Sequence, residues 1–284
     1  AALELHTDKR LKHLYVQHNR LSIAGNGMLL EVLRKNTTVE ELSINITRQP
    51  DVRDLLSIIK RYKLSSRVII GWKNPDGMDF REGHDLCKIS SASFNLDYRY
   101  PCDSTLLLDT LVIDRKINAL TLTCTAGTTN FVVNRMIDTL GRIKYLRHLH
   151  LNAVLQEPAT LGVFRALQVN SSIETLFLNL ITFERRVVRA LGRLVLHNKT
   201  INLLSIDLDK SRGDKWSQLR AICRELKQTV PQNRYLISVS VVLQGDNRAS
   251  DFLIKETLRH NFALVHQAIQ FVNGSMNKSE GLAF

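Results

Sequence analysis

One phrase recurs along this chain, and a recurring phrase constrains a fold more than any single motif, because each copy must build the same unit. The phrase is Asn, two residues, an apolar residue, two residues, Leu or Val, one residue, an apolar residue. It stands as NTTVEELSI at 36–44, NSSIETLFL at 170–178, NKTINLLSI at 198–206 and NRYLISVSV at 233–241. Shorter copies without the leading asparagine are LKHLYV (11–16), INALTL (117–122) and LRHLHL (146–151). The central apolar residue of each copy serves as a ruler and falls at Leu14, Leu42, Leu120, Leu149, Leu176, Leu204 and Val239. The steps are 28, 78, 29, 27, 28 and 35. The long step holds two further units, one centred on Ile70 in Val68-Ile69-Ile70 and one in SFNLDY at 93–98. The chain therefore reads as about eight or nine repeats of roughly 28 residues.

The physics of each unit follows from its periodicities. L-x-x-L-x-L is a short strand whose leucines alternate toward one face. The segment after it switches to helical spacing. Val52, Leu55, Leu56, Ile58 and Ile59 show this in one unit, Leu161, Phe164 and Leu167 in another, and Val187, Val188, Leu191, Leu194 and Val195 in a third. One strand and one helix cannot bury their apolar faces alone, so neighbouring units must stack. The expected fold is an α/β solenoid over 1–284, with parallel strands on an inner, concave wall and helices outside. Residues 66–116 read as degenerate repeats with irregular loops. Residues 255–273 read as a capping helix with Leu264, Val265, Ala268, Phe271 and Val272 as its apolar stripe, and 274–284 as a disordered tail.

The pattern resembles the leucine-rich-repeat family in its ribonuclease-inhibitor-like class. The match lies in the L-x-x-L-x-L strand, Asn19 shortly after the first one, Gly25 in the following turn, and a helix ending in Asn before the next strand. The asparagine after the strand keeps its usual place only in the first unit; the second has Thr47, and Asn152 and Asn179 are shifted. Within the family the chain looks most like the C-terminal repeats of NOD-like receptors. The resemblance implies a horseshoe-shaped scaffold that binds a protein partner, as the sensing part of an innate-immunity-type protein. One alternative it implies is a regulator of a small GTPase, of the GTPase-activating type.

Composition narrows the function classes. There are 39 Lys and Arg against 27 Asp and Glu, a formal net charge of +12. Residues 143–284 carry 19 bases and 11 acids, so the excess lies in the second half. No nucleotide-binding loop, G-x-G-x-x-G, H-E-x-x-H or G-x-S-x-G occurs, so no enzyme activity, cofactor, metal or small-molecule substrate is expected. The longest charge-free run, Ile117 to Asn134, is rich in Thr and Asn, so no membrane span is expected. The start, AALELHTDKR, lacks the order of a signal peptide. Cys87, Cys102, Cys124 and Cys223 are scattered and read as reduced thiols of a cytoplasmic protein. Asn-x-Ser/Thr triplets start at Asn36, Asn45, Asn170, Asn198, Asn273 and Asn277, three of them inside the repeated phrase. A glycan at Asn45 or Asn170 would point to an extracellular role instead.

Two surfaces are candidate sites. Residues flanking the core leucines face the concave wall: Tyr15 and Gln17, Ser43 and Asn45, Thr121 and Thr123, His150 and Asn152, Phe177 and Asn179, Ser205 and Asp207, then Ser240 and Val242. That wall is polar and nearly uncharged, with Tyr15 and Phe177 as anchors, which suits a protein partner. His148 and His150 share a strand face, a spacing that could hold a metal, but no carboxylate or cysteine is placed beside them. The second surface is basic. Arg185, Arg189, Arg193 and His197 recur every four residues, opposite Val188, Leu191 and Val195, and so form an outward stripe. A second basic set is Lys210, Arg212, Lys215, Arg220, Arg224 and Lys227. Such a stripe attracts acidic protein, acidic lipid or nucleic acid. Trp72 and Trp216 are expected to fill packing gaps.

Overall fold

The computed structural model describes residues 10–17, 19, 21–46, 49–73, 83, 85–96, 101–113, 117–180, 183–208, 215–243, 258–263, 266 and 269–270. The chain divides into two compact units, Ala1–Val132 and Val133–Phe284. The first holds β1 (His13–Tyr15), α1 (Ile23–Lys35), β2 (Glu41–Ile46), α2 (Gln49–Arg61), β3 (Val68–Trp72), β4 (Lys88–Asn95), α3 (Pro101–Ile113) and β5 (Ala119–Cys124). The second begins within α4 (Asn130–Arg142). It continues through β6 (His148–Ala153), α5 (Glu157–Val169), β7 (Thr175–Leu180), α6 (Arg185–His197), β8 (Leu203–Leu208), α7 (Lys215–Thr229) and β9 (Ser238–Leu243). Strands pair in parallel and in chain order, β1 to β5 in the first unit and β6 to β9 in the second. Strand, helix, next parallel strand is the expected α/β solenoid of leucine-rich-repeat type.

The strands carry the alternation that the phrase implies. Leu149, Leu151 and Ala153 are buried in β6, Leu176, Leu178 and Leu180 in β7, and Leu204, Ile206 and Leu208 in β8. The facing helices close the core with Val163, Phe164 and Leu167 of α5 and Val187, Val188, Leu191, Leu194 and Val195 of α6. Two details of the ruler are corrected. Leu42 pairs with Val68, so Val68 and not Ile70 is the equivalent residue. The next strand is Lys88–Asn95 rather than 93–98, and its pairing with β3 shifts register between Ile70 and Gly71. The apolar stripe expected in 255–273, from Leu264 to Val272, lies outside the described residues, as does the 274–284 tail; described positions 258–263 are helical.

What ties one repeat to the next is the asparagine that opens the phrase, not the one after the strand. Asn36, Asn170, Asn198, Asn233 and Asn261 are buried. In the second unit the Oδ1 of each of Asn170, Asn198 and Asn233 accepts from the backbone N–H groups two and three residues on, which shapes the turn into the next strand. Their Nδ2 donates backward. Asn170 reaches the carbonyls of Leu140 and Ile143, Asn198 those of Leu167 and Asn170, and Asn233 those of Val195 and Asn198. Asn261 continues the series to Asn233 and Leu236. A primary amide is the one side chain that offers two donors and two acceptor lone pairs at a single buried point, so it satisfies both turns at once. Asn19, by contrast, is exposed.

In the first unit Asn36 forms the same turn with Thr38 and Val39. The following helix ends at Arg61, where the next residue is Tyr62 rather than asparagine, and Lys63 takes a φ of 55°. Arg67 replaces the missing amide. Its guanidinium donates to the carbonyls of Leu33, Asn36 and Val39, which include the same two places, the asparagine and the residue three before it, that Asn198 and Asn233 address one repeat back. Burial lowers the Arg67 pKa from its ordinary value, the expected direction for a cation drawn into the protein.

Cys124, at the end of β5, is buried, and desolvation pushes its thiol up to about 12. The folded state therefore holds the proton after an exposed cysteine has lost it, and stability is lost as pH rises from about 9 toward 12. We expect urea melts at pH 10.5 to show the native chain destabilised by about 1.4 kcal/mol per pH unit from this group, and Cys124→Ala to flatten that slope. An unchanged slope in the variant refutes the assignment.

Candidate functional site

The strand face of the second unit is built from residues that alternate with its buried leucines. Register sets them in three rows. The first is His148, Thr175, Leu203 and Ser238; the second His150, Phe177, Ser205 and Ser240; the third Asn152, Asn179, Asp207 and Val242. His148, His150, Phe177, Ser238 and Ser240 are exposed, and the third row is half-buried through Asp207. Phe177 keeps 39% of its surface exposed. The His150 ring packs against it, with centroids 5.8 Å apart and planes tilted by 54°. Ser205 and Ser240 hydroxyls bond each other at 2.9 Å.

This arrangement has a definite chemistry. The aromatic pair offers an apolar platform at the centre of the face. Below it stands a row of two amides and a carboxylate, and Asp207 Oδ1 is buried with no hydrogen-bond partner of its own. The half-buried amides of Asn152 and Asn179 beside an exposed aromatic suit the polar groups of an approaching chain. None of the residues in these three rows is Lys or Arg, so the face does not suit phosphate. Among the described residues, no group of three or more His, Cys, Asp or Glu could hold a metal. His148 and His150 both point outward, as their spacing implies.

The first unit presents a different face. Tyr15 is 65% exposed and stacks on His13, with centroids 6.3 Å apart. A hydrogen bond to Glu41 raises the Tyr15 hydroxyl pKa. Thr121 and Thr123 are half-buried. Ser43, however, is only 2% exposed and cannot contact a partner, which corrects its expected place on an open wall. The cause is local. Gln17 links the end of β1 to Ser90 of β4, a 3.2 Å bond that crosses β2 and β3, and its neighbour in register, Ile69, is buried as well. Asn45 is withdrawn too: its Oδ1 lies where a side chain on Gly71 would sit, 2.2 Å from that Cβ position. Gln17 and Asn45 are half-buried.

The basic stripe is where its spacing predicts. Arg185, Arg189 and Arg193 are exposed on α6, while Val187, Val188, Leu191 and Val195 are buried behind them. The second basic set contributes Arg220 and Arg224 beside them, and sequence reasoning missed only Arg165. Arg165 of α5 and Arg220 and Arg224 of α7 are exposed on the helices packed to either side. Trp216, expected as packing, is 51% exposed; Trp72 is fully buried, as expected. Lys210 and Arg212 lie outside the described residues.

No protein-family model matches this sequence, and no curated protein matches it. Solved structures do. The chain is similar to leiomodin-1 actin-binding site 2, with a TM-score of 0.47 and 19% identity over 61% of this chain and 97% of that one. It is also similar to the tropomodulin C-terminal domain of Caenorhabditis elegans, with a TM-score of 0.45 and 14% identity over 58% of this chain and 96% of that one. The repeat fold itself is carried by the strand register and the asparagine ladder described above. Among the described residues, no helix is long and apolar enough to cross a membrane.

Proposed function

We propose that this chain is a protein-recognition module and that the strand face of its second unit is where a partner binds. The observation that carries the reading is the exposed Phe177, braced by His150 and bordered by the Asn152, Asn179 and Asp207 row. A rigid aromatic anchor ringed by hydrogen-bonding groups is the pattern of an interface centre. The partner's matching feature is an apolar side chain seated on Phe177, with hydrogen-bonding groups toward Asn152 and Asn179. Sensing in an innate-immunity-type protein and regulation of a small GTPase are narrower forms of the same reading.

Phe177→Asp tests it. The ring stands outside the core, so we expect the variant to fold and melt like the parent. Partners captured from native extract, then purified and titrated, should lose at least about tenfold in affinity. His150→Ala should produce a smaller loss. Partners retained by Phe177→Asp but released by Arg189→Glu with Arg193→Glu would overturn the reading. A GTP-turnover panel on the captured partner separates the GTPase-regulating form from plain binding.

A further inference from the structure

The helix layer of the second unit carries a feature that protein recognition by the strand face does not use. Its solvent side is an arginine lattice. Arg165 and Arg193 stand 28 residues apart, the same step as the ladder residues Asn170 and Asn198, and so hold equivalent places on α5 and α6, while Arg224 is exposed on α7, which packs against α6. Val163, Phe164 and Leu167 flank Arg165; Val188, Leu191 and Val195 flank Arg193; Leu219, Ile222 and Leu226 flank Arg224. Arg189 and Arg220 are exposed four residues before Arg193 and Arg224 on the same two helices. Along each helix the i, i+4 spacing puts arginines about 6 Å apart, and packed helices stand about 8–10 Å apart. Trp216, Arg220 and Arg224 form one exposed line on α7, and Arg220 Nε donates back to the Trp216 carbonyl at 3.3 Å.

Little described negative charge opposes this face. Glu157 is engaged by Arg186 at 3.5 Å. Glu184 is tied to Glu157 by a hydrogen bond, which raises its pKa above the usual carboxylate value. Glu225 is half-buried against α6, its carboxylate lying over Gly192. Most of these cations are arginines, joined by the exposed Lys227 on α7, and the planar forks of the arginines pair with phosphate and carboxylate oxygens in two places at once.

We infer that this helix face docks on an anionic lipid surface, with the arginines on headgroup phosphates and Trp216 at the boundary of the acyl region. Three observations select lipid. The lattice spreads in two dimensions over three helices, which matches a plane; a duplex would meet it along a single ridge of phosphates. A single exposed tryptophan stands at its edge, whereas a nucleic-acid single strand is held on successive aromatic platforms. Tryptophan beside arginine is the pairing of a membrane–water boundary.

The test uses the whole chain and vesicles of phosphatidylcholine, with and without 30% phosphatidylserine. We expect sedimentation with the anionic vesicles alone, and release at 0.5 M salt. The chain has two tryptophans, and Trp72 is buried, so a blue shift and acrylamide protection on binding report on Trp216. Each basic residue near such a surface contributes about fivefold, so Arg189→Gln, Arg193→Gln, Arg220→Gln and Arg224→Gln together should weaken binding by a hundredfold or more. An unchanged melting curve for that variant shows that folding is intact; if it fails to fold, Trp216→Ala, which leaves the charge in place, should still weaken binding. Equal binding to neutral vesicles overturns the inference. So does unaltered binding of the folded glutamine variant, or tighter binding of a duplex RNA with no change in Trp216 emission.

Discussion

Asn198→Ala lowers the melting temperature of this protein by roughly 8–16 °C, the shift expected for a loss of about 4 kcal/mol in a unit of this size. The side chain occupies a buried point and makes five hydrogen bonds, one of them accepted from the Thr200 hydroxyl. It accepts from Thr200 and Ile201 and donates to Leu167 and Asn170. Alanine leaves two N–H groups and two carbonyls without these partners where water does not reach. Buried, unpaired backbone groups cost more than the bonds that satisfied them ever gained. Asn198→Asp is the sharper probe. It keeps the acceptor, loses both donors, and sets a carboxylate against two carbonyl oxygens. Its folded-state pKa must rise, so its stability is highest at low pH and falls as pH increases through that raised value. Calorimetry of both variants from pH 4 to pH 8 checks this. A melting temperature for Asn198→Ala within about 2 °C of the parent would mean that the ladder is ornament.

Arg67→Ala produces the second large effect, and in the other unit. It removes the donors to Leu33, Asn36 and Val39. We expect a loss of about 3 kcal/mol, since these bonds are charge-assisted but partly accessible. Arg67→Lys should recover less than half, because one ammonium cannot reach three carbonyls that a planar fork spans. Urea melts followed by circular dichroism measure both. A cost below about 0.5 kcal/mol for Arg67→Ala, the usual range of an exposed substitution, would show that another group closes this repeat.

These two residues also mark how much of the molecule was legible beforehand. The strand leucines were legible because a period of two survives in Leu149-His150-Leu151 and Leu176-Phe177-Leu178. Phase was lost at Val68–Trp72, where every residue is buried, so alternation distinguishes neither face. It was lost again in the serine-rich β4, where the register slips. The asparagine opening the phrase was visible, but nothing in the spacing shows that its amide faces both ways. Arg67 was invisible, because a side chain that stands in for asparagine from a different position breaks the phrase it completes. The candidate sites divide in the same way. His150 and Phe177 follow from alternation alone. Ser43 does not, since the groups that close its part of the face, Gln17 and Ser90, are 73 residues apart. The arginine stripe of one helix is a spacing; the lattice over three helices requires the register between repeats.

The buried ladder has a consequence for where and how this chain can be made. Asn36, Asn170 and Asn198 each open an Asn-x-Ser/Thr triplet, and each is sealed in the folded protein. A glycosylating enzyme that met the nascent chain before these repeats closed would attach a sugar to the side-chain nitrogen, which in Asn170 and Asn198 donates to the preceding turn. The repeat could not then shut, and every repeat stacked after it would lose its template. In a compartment with that enzyme, the yield of native protein would be set by a race between closure of each turn and transfer of the glycan.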